Sequence, residues 1–172
     1  MSVTLAVPPG PGFVHAASSL SSSQGNRIPR VWVTVHSLSG LALGTLLPLP
    51  LPLVLLGARV LHLLLDLVPH WDYTHDRRRG YWAVLDVALS AVLVVTLVLT
   101  MGLTTRAILA AIVSAVPDLD VLDAIFPWKR RGRWFPSHWS RFPHGETGPL
   151  LGISVQLLVI AGSVLAVILV ST

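Results

Sequence analysis

The sequence predicts an all-α fold, a polytopic transmembrane helix bundle of about five helices with four as the fallback count. Three observations carry that expectation. Hydrophobic residues make up 53% of the 172-residue chain and charged residues only 12%, about half the ~25% charge of an ordinary soluble domain. Apolar runs such as Val87 to Met101 and Leu150 to Val170 continue without a charge, and the second is long enough for a bilayer, which needs ~20 residues. The basic residues fall in short clusters between apolar segments, although the net charge is +4. That placement fits the anionic surface of a lipid bilayer and argues against a nucleic-acid partner. The same composition excludes a disordered tail, a coiled coil and a secreted mini-protein. With no cysteine, disulfides and thiolate metal sites are also excluded, so any metal must be held by His, Asp and Glu.

Residues 1–30 are rich in Pro, Gly and Ser, contain no acid, and carry only Arg27 and Arg30 as basic residues; they read as a flexible tail. Residues 31–172 form the transmembrane domain. Five apolar segments lie at 31–47, 53–68, 81–101, 103–116 and 148–170. Pro48, Pro50 and Pro52 separate the first two, Pro69 ends the second and Pro117 the fourth, since a proline ring removes a backbone donor and disfavours helix before it. The first, second and fourth segments are short for a full span, so they must borrow flanking residues or pack inside the bundle.

Charge orients the segments. With five crossings, Arg27 and Arg30, then Arg77 to Arg79, then Lys129, Arg130, Arg131, Arg133 and Arg141 all fall on one side, which the positive-inside rule makes cytoplasmic. Every Trp and Tyr in the chain, Trp32, Trp71, Tyr73, Tyr81, Trp82, Trp128, Trp134 and Trp139, falls on that side too. The expected location is therefore the bacterial cytoplasmic (inner) membrane, N-terminus in and C-terminus out.

This topology brings ionisable residues to one level. His36, His62, Asp66 and Asp86 lie near the inner ends of their segments, while His70, Asp72, His75, Asp118, Asp120, Asp123, His138, His144 and Glu146 crowd the inner loops. His62 and Asp66 are four apart and share a helix face. His36, Gly40 and Gly44 form a stripe on the first helix, and Ala107, Ala111, Ser114 and Asp118 a matching one on the fourth; small residues of this kind let helices approach closely. Ionisable groups at such depth cost several kcal/mol unless paired or hydrated. A divalent cation would offset that cost, zinc being favoured by His and carboxylate donors, with manganese or iron as alternatives. The candidate ligands are His36, His62, Asp66, Asp118, Asp120 and His144, with Glu146 or Asp86 as the base. The plainer reading is a His62–Asp66 ion pair and a His36 bound to a carbonyl. Leu67-Val68-Pro69-His70-Trp71-Asp72 and Ala115-Val116-Pro117-Asp118-Leu119-Asp120 also echo one another, which would put Asp72 and Asp120 in related positions.

Several of these pieces resemble a family. His36-Ser37-Leu38-Ser39-Gly40, His62-x-x-x-Asp66 followed by Pro69-His70, Pro117-Asp118-Leu119-Asp120 and the stretch from His138 to His144 are similar to motifs of the small bacterial membrane-bound proteins classed as metal-dependent hydrolases (YdjM-like). The likeness spans about 31–150. Here His-x-x-x-Asp precedes Pro-Asp-Leu-Asp, whereas the family pattern places it last, and the gap from His138 to His144 is wider than the family's. The resemblance implies a His/Asp metal site and no particular substrate.

No nucleophile elbow, P-loop or dinucleotide fingerprint is present, and seven His are too few for a desaturase-like di-iron site. The expected function is a metal-dependent hydrolase at the inner membrane face, acting on an ester or phosphoester of a lipid headgroup or small molecule. The alternative is a non-catalytic membrane protein, either a metal- or proton-linked carrier or a structural bundle.

Overall fold

A computed structural model describes residues 31–73, 76–118, 135–139 and 141–172. The expected tail at 1–30, the basic residues 129–133, Trp128 and Trp134, and His75, Asp120 and Asp123 lie outside the described residues. Within them the protein is all-helical, with α1 (Val33–Leu46), α2 (Leu51–Leu67), α3 (Arg79–Met101), α4 (Thr105–Ala115) and α5 (Pro149–Ser171), plus a 3-10 turn at Pro136–His138.

Helix α1 is the centre of the bundle and packs on all four others. Ten of its fourteen residues are buried, as expected of a segment that is apolar or small on every side. Its closest partner is α4. A methyl group added at Gly40 would lie 2.6 Å from the Ala110 carbonyl oxygen and 2.7 Å from Ser114 Cβ, and one at Gly44 would lie 2.7 Å from Ala107 Cα. The two small-residue stripes thus face each other, and the helices meet nearly backbone to backbone. Gly40→Ala is accordingly expected to destabilise the fold by about 1–3 kcal/mol. Gly162→Ala on α5, where an added methyl meets nothing within 4 Å, is expected to be neutral or slightly stabilising. Unfolding of the two variants in detergent checks the pair.

Successive helices alternate in direction, and the connections show why. Helix α1 stops at Leu46, just before Pro48, as the pattern expects, but α2 starts at Leu51 and not after the prolines: Pro52 lies in its first turn, where the missing N–H has no intrahelical acceptor to lose. Gly102 ends α3 with φ +62°, a left-handed cap that glycine adopts without strain. Thr104 then caps α4 by accepting from the Ala107 N–H at 3.4 Å. At this same end Arg106 Nε donates to the Gly44 carbonyl at 3.0 Å, satisfying an orphan acceptor at the C-terminus of α1.

At the opposite end, Gly145 N–H donates to the Asp66 carbonyl at 3.0 Å and His70 N–H to the Gly145 carbonyl at 2.9 Å, joining the approach to α5 to the exit of α2. Gly152 lies against the backbone of His70 and Trp71. With the amide of Gln156, buried on α5, turned to suit its neighbours, its oxygen accepts from Trp32 N–H at 3.2 Å and its nitrogen donates to the Gly152 carbonyl at 3.3 Å. The N-terminal ends of α1, α3 and α5 and the C-terminal ends of α2 and α4 therefore meet at one end of the bundle.

Among the described residues two helices, α3 and α5, are long and apolar enough to cross a membrane, at 23 residues each. Only 17% of either apolar window is buried inside the protein, so most of this surface faces outward: Leu99 is 77% exposed and Leu150 85%. Helices α1, α2 and α4 have 14, 17 and 11 residues.

Candidate metal centre

Close packing of α1 on α4 sets one half of the site. His36 lies one turn before Gly40, and Asp118 follows Ser114 by four residues, so the contact of Gly40 with Ser114 brings the imidazole and the carboxylate to the same level. The other half comes from α2, whose last two turns present His62 and Asp66 on one face. The 3-10 turn Pro136–His138 adds His138 from the loop. His36 and His62 are fully buried, and Asp66, Asp118 and His138 are at most 2% exposed.

Nitrogen and oxygen atoms alternate through the cluster. His62 Nε2 is 3.3 Å from Asp66 Oδ2, and Asp66 Oδ1 is 3.3 Å from His36 Nε2. His36 Nε2 is also 3.4 Å from Asp118 Oδ2, and Asp118 Oδ1 is 3.4 Å from His138 Nε2. The His36 and His62 rings stack at 3.9 Å between centroids, and Phe135 meets His62 nearly perpendicular at 4.9 Å between centroids.

The tautomer of His62 is fixed by its surroundings. Its Nδ1 is 2.7 Å from the Ser114 carbonyl oxygen, which can only accept, so Nδ1 carries the proton and donates it. The lone pair is then on Nε2, aimed at a carboxylate oxygen, and two acceptors facing each other repel unless a cation or proton lies between them. A carbonyl hydrogen-bonded to the nitrogen that does not face the cluster is also usual for a metal-ligating histidine.

The spacing of these contacts would accommodate a cation. Charge-assisted N–H···O bonds run about 2.7–2.9 Å, well below these contacts. Two ligands of a tetrahedral ion with bonds of about 2.0–2.1 Å stand about 3.3–3.4 Å apart, which is the spacing found. His36 Nε2, His62 Nε2, Asp66 Oδ2 and both Asp118 oxygens make no hydrogen bond. Leaving so many buried donors and acceptors unmatched would cost several kcal/mol. The described donors form two groups that could hold an ion, His36–His62–Asp66 and His62–Asp118–His138, each with its ligand atoms within 4.8 Å of one another.

Of the residues expected from the sequence, His36, His62, Asp66 and Asp118 come together here. Asp120 lies outside the described residues. His144 belongs to neither group; its Nδ1 donates to the Phe142 carbonyl at 2.9 Å, on the loop strapped to the end of α2. His70 lies on the other strand of that strap, with Nδ1 donating to the Val68 carbonyl at 2.8 Å, and burial holds its pKa below the ordinary histidine value. Glu146 is exposed and pairs through its backbone with His70.

Asp86 has a different place from the one expected of a base. Its carboxylate accepts from Val33 N–H at 2.7 Å, Thr34 N–H at 3.0 Å and the Thr34 hydroxyl at 2.7 Å, and from the Tyr73 hydroxyl at 3.3 Å. It caps the N-terminus of α1 from the neighbouring α3, satisfying orphan donors and the positive end of the helix dipole. The residue that sequence reasoning passed over is His138. It and His144 are both loop histidines flanked by aromatic and proline residues, and no helical spacing marks one of them as facing the bundle.

Comparison with family profiles, characterised proteins and solved structures finds no match to this chain.

Proposed function

We propose that this protein is a membrane-embedded, metal-dependent hydrolase whose His/Asp centre lies at the cytoplasmic end of a five-helix bundle and acts on an ester or phosphoester. The observation that carries the reading is the run of buried imidazole and carboxylate atoms at 3.3–3.4 Å from His62 to His138. Zinc is the favoured ion because the spacing is tetrahedral and the donors are imidazole and carboxylate; manganese and iron accept the same ligands. A cation here would lower the pKa of bound water into the physiological range and polarise the bond to be cleaved. Glu146, exposed on the loop beside the end of α2, is the base in this reading, since the oxygens of Asp86 are taken up by α1.

The resemblance of the His36, His62-x-x-x-Asp66 and Pro117-Asp118 pieces to the YdjM-like membrane-bound hydrolases favours the same chemistry. Outward-facing apolar surface on α3 and α5 favours the bilayer. Anionic headgroups are the expected neighbours of Arg77, Arg78 and Arg79, which are exposed at the start of α3, and the bacterial inner membrane is the proposed location.

Purified protein in detergent, assayed on a panel of phosphoesters and carboxylic esters, tests the activity. Hydrolysis abolished by a chelator and restored by zinc or manganese is expected, and turnover indifferent to both would refute the reading. Glu146→Gln is expected to lower kcat by about 10²–10⁴ with bound metal unchanged. Unchanged kcat would remove Glu146 from the chemistry. Reporter fusions after residue 172 and within 141–147 are expected to place the C-terminus outside and the loop inside.

A further inference from the structure

The hydrolase reading needs one cation, but the geometry points to two: we propose that the centre holds a pair of divalent ions, one bound by His36, His62 and Asp66 and the second by Asp118 and His138. This inference rests on the metal reading and extends it.

Donor number is the first reason. Three imidazoles and two carboxylates exceed the four ligands of a zinc ion, and a catalytic zinc ordinarily has three protein ligands and one open position. A single ion on His36, His62, Asp66 and Asp118 would be closed to water and would leave the His138 imidazole, 3.4 Å from Asp118 Oδ1, outside its ligands.

Arrangement is the second. The described donors fall into two triads that share His62, and each could hold an ion. Each carboxylate turns its two oxygens toward two different imidazoles, Asp66 toward His62 and His36, Asp118 toward His36 and His138. His62 can serve only one of the triads, because its Nδ1 is committed to the Ser114 carbonyl and Nε2 holds its one free lone pair. It faces Asp66, so the Asp118–His138 side keeps open positions for water and substrate. His36 Nε2, in reach of both carboxylates, joins the two halves. Ion pairs in hydrolytic sites stand about 3.5–4 Å apart, a spacing that contiguous triads allow.

Charge then indicates the substrate. Two dications on two carboxylates leave a buried surplus of positive charge, balanced by hydroxide and by an anionic substrate, which favours a phosphoester over a neutral ester. In its hydrolysis the water oxygen forms a bond to phosphorus as the bond to the alcohol oxygen breaks. One water proton passes to the departing alcohol and the other remains with the phosphate.

The test is a metal count on the full chain in detergent, stripped with chelator, reloaded with Mn²⁺ and desalted. Two ions per chain are expected, with an electron paramagnetic resonance spectrum broadened by coupling between them and altered by inorganic phosphate. His138→Ala is expected to keep one ion and show the isolated six-line signal. One ion per chain in the wild type would overturn the two-ion centre and leave the hydrolase reading standing. No ion in the wild type would overturn both. Two ions retained by His138→Ala would refute the placement of the second, and a spectrum indifferent to phosphate would refute the anionic substrate.

Discussion

Replacing His62 with alanine is expected to remove bound metal and, with it, hydrolysis. The ring supplies a lone pair whose direction is fixed by a 2.7 Å hydrogen bond from Nδ1 to the Ser114 carbonyl, and it packs between His36 and Phe135. Losing an outer-shell partner typically weakens metal affinity 10–100-fold, so loss of a direct ligand should exceed about 100-fold. His15→Ala in the N-terminal tail is the control and should leave metal content unchanged. His62→Gln, nearer in volume and still a donor of one lone pair, separates loss of metal from loss of fold. If both His62 variants retain full metal, His62 is not a ligand and the ion is held elsewhere.

The second large effect concerns Asp86, and it has the opposite signature. Asp86→Ala is expected to destabilise the bundle by about 2 kcal/mol or more, because Val33 N–H and Thr34 N–H lose their acceptor at once, while the Thr34 hydroxyl keeps the backbone carbonyl of residue 86 at 3.0 Å. Each buried group left unmatched costs about 1–3 kcal/mol. Metal bound by the folded fraction should stay at the wild-type ratio, and kcat per bound metal should be unchanged. Denaturation in detergent reads the first effect and a metal assay the second. A stable Asp86→Ala protein with kcat reduced about 100-fold would return Asp86 to the role of base.

Asp66 and Asp86 show what the sequence made legible and what it did not. Asp66 could be assigned because its partner is local: four residues from His62 on an otherwise apolar helix, the two must share a face, and their depth makes an unmatched pair costly. His36 and Asp118 were legible through the small residues beside them, since Gly40 and Ser114 mark the faces on which α1 and α4 approach.

Asp86 carried the same outward signs, an acid two turns into an apolar helix with Ser90 one turn on. Its partners are the backbone N–H groups of α1, and no residue pattern reveals which helix start will lie alongside. His138 was hidden for a related reason. A loop has no fixed period, so choosing between His138 and His144 required the 3-10 turn that directs one into the bundle and the backbone strap that holds the other against His70. Pro52 misled by its type, because a proline tolerated in the first turn of a helix has the same letter as one that ends it.

The central claim, that the ends of these helices build a metal centre from imidazole and carboxylate, is tested most directly by X-ray absorption at the zinc edge on zinc-loaded protein in detergent. The account predicts nitrogen and oxygen neighbours at about 2.0–2.1 Å, together with the outer-shell scattering of at least two imidazole rings that weakens in His36→Ala. Zinc that washes off before measurement, or an oxygen-only shell without imidazole scattering, would contradict it.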